Sequence, residues 1–410
     1  VPNILETYRQ YKALPRLVKT PQVSEFSATA LVALTIILLI FSGVIGTYAI
    51  ILFYILWLPR FFYRKKFVPY FSRDVWLIYI FLGLCIASVI WSDYPSVTLR
   101  ASLELASMVL IAVVIARLTS TAAFVKGLAV GAFLVLLATF ASGHFAIESI
   151  FGSKNQAGYV AEVGVFASVV YLFSAARRRS KAVFVPVFLF CGLALFLSHS
   201  ATAVVSLAVA LLASALGGIT ARLPRRIRGL GLAALIVIGS IAVLAATSFG
   251  LQAALFQSLG KDTTLTGRTY LWGEGMKIAL QQPILGLGYS AFWVQGRQLA
   301  EQYWYEFYIP TRSGFHFHNL YIETFVELGG AGLFLLILLV CLTGWQSLLY
   351  VLKKGRDTTG IFCLGLFFML LVRTFVEVDF LGQFGIGQLL FFGILPRLAM
   401  RPAEEAVQRR

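Results

Sequence analysis

Charged residues are scarce in this sequence. Asp, Glu, Lys and Arg together make up 13% of its 410 residues, against roughly 25% in soluble domains. Apolar residues make up 59% and the mean hydropathy is +0.84, which excludes an ordinary soluble globular chain. Cysteine is scarcer still. Cys85, Cys191, Cys341 and Cys363 each fall inside an apolar run, so they form neither a disulfide framework nor a Cys-based metal site and read as buried free thiols. There is no repeat of 20 to 50 residues and no low-complexity tract. The two halves do not mirror each other as those of an inverted-repeat transporter do. The first apolar stretch lacks a small-residue cleavage site, so it reads as a retained helix and not a cleaved leader.

Long apolar runs are abundant. A helix needs roughly 20 such residues to cross a hydrocarbon core of about 30 Å, and twelve candidate spans can be drawn. They are 27–41, 44–58, 74–92, 97–117, 121–141, 156–175, 182–198, 200–217, 229–248, 318–352, 359–377 and 383–398. The first two are short, and a re-entrant pair is an alternative there. With these spans in place, 26 of the 34 Lys and Arg residues fall on the side where the chain begins. Basic loops stay in the cytoplasm, so both termini are expected there. The net charge of +16 is then mostly topology, with anionic lipid as its expected neighbour and no nucleic acid required.

Eight cations remain on the far side: Arg100, Lys154, Lys261, Arg268, Lys277, Arg297, Arg312 and Arg373. Arg100 precedes Glu104 by one turn, and Arg373 stands four residues before Glu377. An intrahelical pair is worth only about 0.2–0.5 kcal/mol. The cost of a charge at membrane depth is about 2.5–3.5 kcal/mol, so such arginines call for a functional reason. Lys154 opens a span, placing a cation at an outward helix N-terminus. Repeated cations at outer helix starts suggest one shared anion, a diphosphate.

The segment 249–317 is far longer than an ordinary loop, and loops of that length tend to be functional. Thr266-Gly267-Arg268-Thr269 leads into Trp272, Met276 and Leu280 at helical spacing, which puts Arg268 in the first turn of a helix. Either it meets a bound anion there or it pairs with Asp262. From Tyr289 to Tyr308 eight aromatic rings with polar neighbours read as an interfacial helix on the outer leaflet, a roof or a simple anchor. His318-Asn319 then opens the tenth span, with Asn319, Glu323 and Glu327 on one stripe. Run unbroken, 318–352 makes a helix of about 50 Å, longer than the lipid core. Its first turns therefore stand outside, with His318 at the boundary. A histidine there can take a proton at neutral pH, with Glu323 or Glu327 to orient the ring, or it is merely solvated or capping. His316 competes for the same role, and His144 and His199 make weaker candidates.

Several stretches carry a family resemblance. They are Trp91-Ser92-Asp93-Tyr94-Pro95 with Thr98-Leu99-Arg100, Lys154-Asn155-x-x-Gly158, Leu197-Ser198-His199-Ser200-Ala201-Thr202, Gly267-Arg268-x-x-x-Trp272, and His318-Asn319 with Glu327-x-Gly329. In this order they resemble the O-antigen ligase and polysaccharide polymerase superfamily, most closely its ExoQ-like exopolysaccharide polymerase branch. The resemblance implies an all-α integral membrane protein of about 12 transmembrane helices with one large periplasmic loop containing short helices, a GT-C-like arrangement. Residues 1–248 would carry helices 1 to 9, residues 249–317 the loop, and residues 318–410 helices 10 to 12.

It implies a metal-independent, inverting glycosyltransferase of the bacterial inner membrane, without cofactor, working at the periplasmic face. The donor would be an undecaprenyl-diphosphate-linked glycan. The acceptor would be another glycan, or the lipid A core if the chain is a ligase, and envelope polysaccharide assembly proteins are candidate partners. His318 and Arg268 would be catalytic, with Arg100, Lys154, Arg373, Asn319, Glu323 and His316 around the substrate. Ligases often carry an arginine where this chain has Ala201, which favours the polymerase. A lipid-glycan flippase and a non-catalytic scaffold are the rival classes.

Overall fold

The computed structural model describes residues 24–64, 75–142, 151–174, 181–224, scattered positions from 226 to 237, and 265–399 apart from Arg356 and Gln383. The described residues contain helices and no strand. The membrane-type helices before the insert are α1 (Glu25–Ile45), α2 (Thr47–Arg64), α3 (Trp76–Ala87), α4 (Pro95–Leu118), α5 (Thr121–Ala141), α6 (Lys154–Phe173), α7 (Phe184–Leu197) and α8 (Ala201–Thr220). The insert contributes α9 (Leu265–Ala279) and α10 (Gln298–Glu306), and α11 (Leu320–Lys354), α12 (Thr358–Thr374) and α13 (Ile386–Leu398) follow. Helices thus stand at eleven of the twelve expected spans. The ninth, 229–248, lies almost wholly outside the described residues, as do His144, Lys261, Asp262 and the basic residues of both termini. Among the described residues six helices are long and apolar enough to cross a membrane, and α1 is one of them. The other apolar helices are shorter.

Most of these helices are apolar on every side, as expected where lipid or other helices surround them. Serine starts several: Ser24, Ser120, Ser153 and Ser200 each accept a backbone N–H of the first turn. That satisfies a donor which has no partner inside the helix. α1 packs on α5, α6 lies against α5, α7 and α8, α8 against α12, and α4 against α13. Cys85, Cys191 and Cys363 are buried free thiols, whereas Cys341 faces outward from α11.

The helix ends sort into two sets. At one end Thr121 meets Thr359, Arg397 donates to the Thr119 carbonyl, and Arg228 donates to the Leu352 carbonyl. The opposite end gathers the starts of α4, α6, α8 and α11 with the C-terminus of α12. There Ser200 donates to Asn155 and Asn319 donates to the Phe375 carbonyl. Gly158 lets α6 and α8 approach at this end, because a Cβ on it would lie 2.6 Å from that of Ser200.

The tenth span is not the single 50 Å helix that its length suggests. At Gly329 the backbone turns to φ 61, ψ −164 and divides α11 into 320–328 and 330–354. The break frees carbonyls and N–H groups that cannot stay unpaired away from water. A strap at 283–288 takes them up. Leu287 and Gly288 donate to the Val326 and Glu327 carbonyls at 3.0 and 2.8 Å, and Pro283 and Ile284 accept from Gly330 and Ala331 at 2.8 and 3.1 Å. The other side of the strap and the residues that follow it are held by Ser88 and the Trp91–Pro95 motif. The Trp91 indole donates to the Leu285 carbonyl at 3.0 Å, Ser88 Oγ accepts from the Tyr289 N–H at 3.0 Å, and Asp93 pairs with Arg297. Arg297 in turn lies over the rings of Tyr94 and Phe292.

The aromatic stretch also differs from the interfacial helix its composition suggests. Tyr289, Phe292, Tyr303 and Trp304 are buried, and Phe292, Tyr303, Leu271, Ile278, Phe317 and Val326 form a small core of their own. Apolar area counts for more when rings pack on one another than when each faces water, so the insert folds on itself against 320–328. A Cβ at position 329 would lie 2.4 Å from the Ile284 carbonyl carbon, and the φ there is one that L-residues avoid. Gly329→Ala is therefore expected to destabilise the protein by about 1–3 kcal/mol or more, lowering its thermal unfolding midpoint in detergent. Gly218→Ala, where a Cβ meets only an ordinary contact at 3.7 Å, should leave the midpoint close to the original.

Candidate functional site

Glu377 lies just past the end of α12 with its side chain only 5% exposed. Its Oε1 accepts the Asn155 amide at 2.8 Å and an Arg268 N–H at 3.3 Å. Its Oε2 faces His318 Nδ1 at 3.6 Å and His316 Nε2 at 3.8 Å. Four separate elements thus deliver five groups: α6 brings Asn155, α9 brings Arg268, the turn before α11 brings both histidines, and the segment after α12 brings the carboxylate. Burial alone would raise the Glu377 pKa, but His318, Arg268 and His316 outweigh it and hold the carboxyl well below its usual range.

The 316–318 turn is held from three sides. Glu323 Oε2 accepts the Phe317 N–H at 2.8 Å, and the Trp272 indole donates to the Phe317 carbonyl at 2.9 Å. Asn319 caps α11 through its Oδ1, which accepts the Tyr321 and Ile322 N–H groups. His318 itself sits at φ 53, a left-handed conformation that a side chain of this size adopts only when its surroundings enforce it.

The two imidazoles are not equivalent. His316 Nδ1 accepts the His318 backbone N–H at 3.0 Å, so its proton must sit on Nε2, toward Glu377. Desolvation, reinforced by His318 and Arg268 and opposed by Glu377, pushes the His316 pKa down to about 3. It is neutral at physiological pH and a poor proton acceptor. His318 has the reverse arrangement. Its Nδ1 is turned to the Glu377 carboxylate, and a proton on that nitrogen leaves Nε2 its free lone pair. The 3.6 Å separation exceeds a hydrogen bond, and contacts of this kind tighten when substrate binds. A carboxylate behind an imidazole, with a guanidinium beside them, can accept a proton from a hydroxyl and stabilise a nearby anion.

The structure distributes the expected residues unevenly. It brings Arg268, His316 and His318 together. Asn319 and Glu323 are spent on the backbone, positioning the turn and not facing outward. Lys154 is exposed at the start of α6, next to Asn155. Arg100 is exposed and holds Glu104 at 2.9 Å. Arg373 is fully buried, with its guanidinium in a fork on Asp379 at 2.5 and 3.1 Å, a third contact to Glu162 at 3.3 Å, and the Tyr159 ring 3.7 Å from its Cζ. A charge enclosed in this way is structural, because freeing it for a ligand would expose two buried carboxylates.

Two members were not singled out from sequence. Glu377 reads there as the helical partner of Arg373, but α12 ends at Thr374 and the carboxylate turns to a different set. Asn155 stands inside a motif whose lysine draws attention first. His316, His318 and Glu377 also place three metal-capable atoms within 4.8 Å of one another. A divalent ion there would have to share Glu377 with Arg268.

Acidification should loosen the insert. A histidine with a lowered folded-state pKa stabilises the fold above its unfolded value near 6.5, and that contribution drains away as pH falls toward 3. Glu377, also lowered, acts in the same direction at the acid end. Thermal midpoints measured from pH 7.5 down to 5 should therefore fall, and less steeply in His316→Asn, which keeps an acceptor but not the titration. Equal slopes would remove His316 as the cause.

The chain is similar to known proteins in sequence. Residues 186–337 match the family model described as O-antigen ligase, a stretch that holds Arg268, His316, His318 and Gly329. Over 91% of its length the chain is 34% identical to the exopolysaccharide production protein ExoQ of Rhizobium meliloti, covering 88% of that protein.

Proposed function

Because the chain belongs to the O-antigen ligase and polysaccharide polymerase superfamily, on its ExoQ-like side, we propose that it is a membrane glycosyltransferase that polymerises lipid-linked glycan units. The donor is a glycan on undecaprenyl diphosphate, and the acceptor is a second lipid-linked glycan. The observation that carries this reading is the convergence of Arg268, His318 and Glu377 on one partly open site at the end of the helix bundle away from Arg228 and Arg397. With those basic ends in the cytoplasm, the site faces the periplasm.

His318 Nε2 takes the proton of the acceptor hydroxyl, and the freed oxygen attacks the anomeric carbon from the face opposite the diphosphate. The bond from that carbon to the diphosphate oxygen breaks, and its electron pair leaves with the diphosphate. The product has inverted configuration. Glu377 holds the ring through Nδ1–H and balances the imidazolium that forms, as a carboxylate does behind a catalytic histidine elsewhere. Arg268 neutralises charge growing on the leaving group, and Lys154, exposed at the N-terminus of α6, adds a second cation on the same side. Positive side chains then supply what a metal ion would otherwise supply.

The test uses purified protein in nanodiscs with defined lipid-linked donor. His318→Ala and Arg268→Ala should each lose product formation by about 100-fold to 10,000-fold while remaining folded in the membrane, and near-normal product from either variant would take that residue out of the mechanism. Glu377→Gln should lower turnover with little change in donor KM. Chelator should leave turnover unchanged. If turnover fell with chelator and returned with a divalent ion, a metal on His316, His318 and Glu377 would replace this scheme. Supplying lipid A core as the sole acceptor separates ligase from polymerase.

A further inference from the structure

A second open groove, about 800 Å³ in volume, runs along α10 and the turn that follows it. Volumes of about 300–1,000 Å³ are typical for sites that take small organic ligands. Its walls include Glu301, Tyr305, Glu306, Tyr308, Pro310 and Arg312. Tyr305 and Tyr308 are 86% and 89% exposed, although Tyr303 and Trp304 beside them are buried. The chain spends other rings on the insert core and leaves these two outside it. The turn that presents them is strained. Tyr308 sits at φ 55 and Arg312 at φ 47, held by bonds from Ile309 N–H to the Trp304 carbonyl at 2.8 Å and from Arg312 N–H to the Ile309 carbonyl at 3.2 Å.

The groove adjoins the reaction site. Phe307 stacks on Tyr270 and packs beside Gly267, the neighbour of Arg268. Phe315 touches both Phe307 and His318, with ring centroids 5.3 and 5.8 Å apart. From Arg312 the chain reaches His316 in four residues.

We infer that this groove is a subsite for the glycan chain, holding sugar rings some distance from the bond being made; the inference rests on the glycosyltransferase reading above. A pyranose presents a face of C–H groups that packs flat on an aromatic ring and a rim of hydroxyls that needs donors and acceptors. The groove supplies both. Tyr305 and Tyr308 offer the ring faces, while Glu301, Glu306 and the Arg312 guanidinium, 3.3 Å from Glu301, line the rim. A lipid surface is the weaker occupant. Membrane-binding faces pair their aromatic residues with Lys and Arg, whereas this groove carries two carboxylates and one arginine already paired.

The test uses the water-soluble repeat oligosaccharides hydrolysed from the source strain's own polysaccharide, with the full-length protein in nanodiscs. Wild-type protein should bind them, and the double variant Tyr305→Ala/Tyr308→Ala should bind about tenfold more weakly and make shorter product chains. Tyr305→Phe/Tyr308→Phe keeps the ring faces and should restore affinity to within about twofold of wild type. Unchanged affinity and chain length in the Ala variant would overturn the subsite while leaving the glycosyltransferase reading intact. Strong quenching of Tyr305→Trp by brominated lipid tails would likewise overturn it, by placing the ring in the membrane. A wild-type protein that neither binds the oligosaccharide nor makes product would remove both readings together.

Discussion

A carboxylate 5% exposed among a guanidinium, two imidazoles and an amide is stable only while those neighbours remain. Glu377 therefore ties the position of each element to the others. Removing one cation would leave a buried charge short of partners, a loss of several kcal/mol in general. The constraint also runs outward. Asn155 keeps its orientation because Ser200 donates to its Oδ1 at 3.2 Å, and the histidine turn keeps its shape because Glu323 and Trp272 hold Phe317. The chemistry proposed for His318 depends on this arrangement, since the carboxylate faces one ring nitrogen and leaves the other open.

Beneath it a second charged group performs a different task. Arg373, Asp379 and Glu162 are closed off from solvent, and Ser206 donates to Glu162 at 2.5 Å. One guanidinium between two carboxylates spans α6, α8 and α12, and the Arg373 carbonyl accepts the Glu377 N–H at 2.8 Å. The buried group thus anchors the short segment that carries Glu377. Buried ions of this kind contribute little net stability but fix one geometry among many. The break in α11 follows the same logic in the backbone, where the strap at 283–288 completes hydrogen bonds that a continuous helix would have made within itself.

The helices were legible because each one is a local matter. An apolar run such as 121–141 forms a helix in lipid whatever its neighbours do, since every backbone group must find a partner inside the segment. Arg268 and His318 were legible for a related reason, each being a charged or titratable residue at a helix start where it serves no local purpose. Arg373 raised the same suspicion, yet its partners were two buried carboxylates. The cost of burying a charge shows in sequence as an anomaly, and its compensation does not. The aromatic stretch 289–308 misled in a similar way, because rings that would suit a membrane surface equally suit a core, and packing decided between them.

By itself the sequence determined the helical class, the order of the apolar segments among the described residues, and the residues that could carry chemistry. Tertiary structure alone decided which of those residues meet. The partners of Glu377 lie as far as 222 and 109 positions away along the chain. Periodicity reports only what a residue does within its own helix. A buried carboxylate must be matched by whatever cations the folded bundle brings within reach, and that match is a property of the bundle.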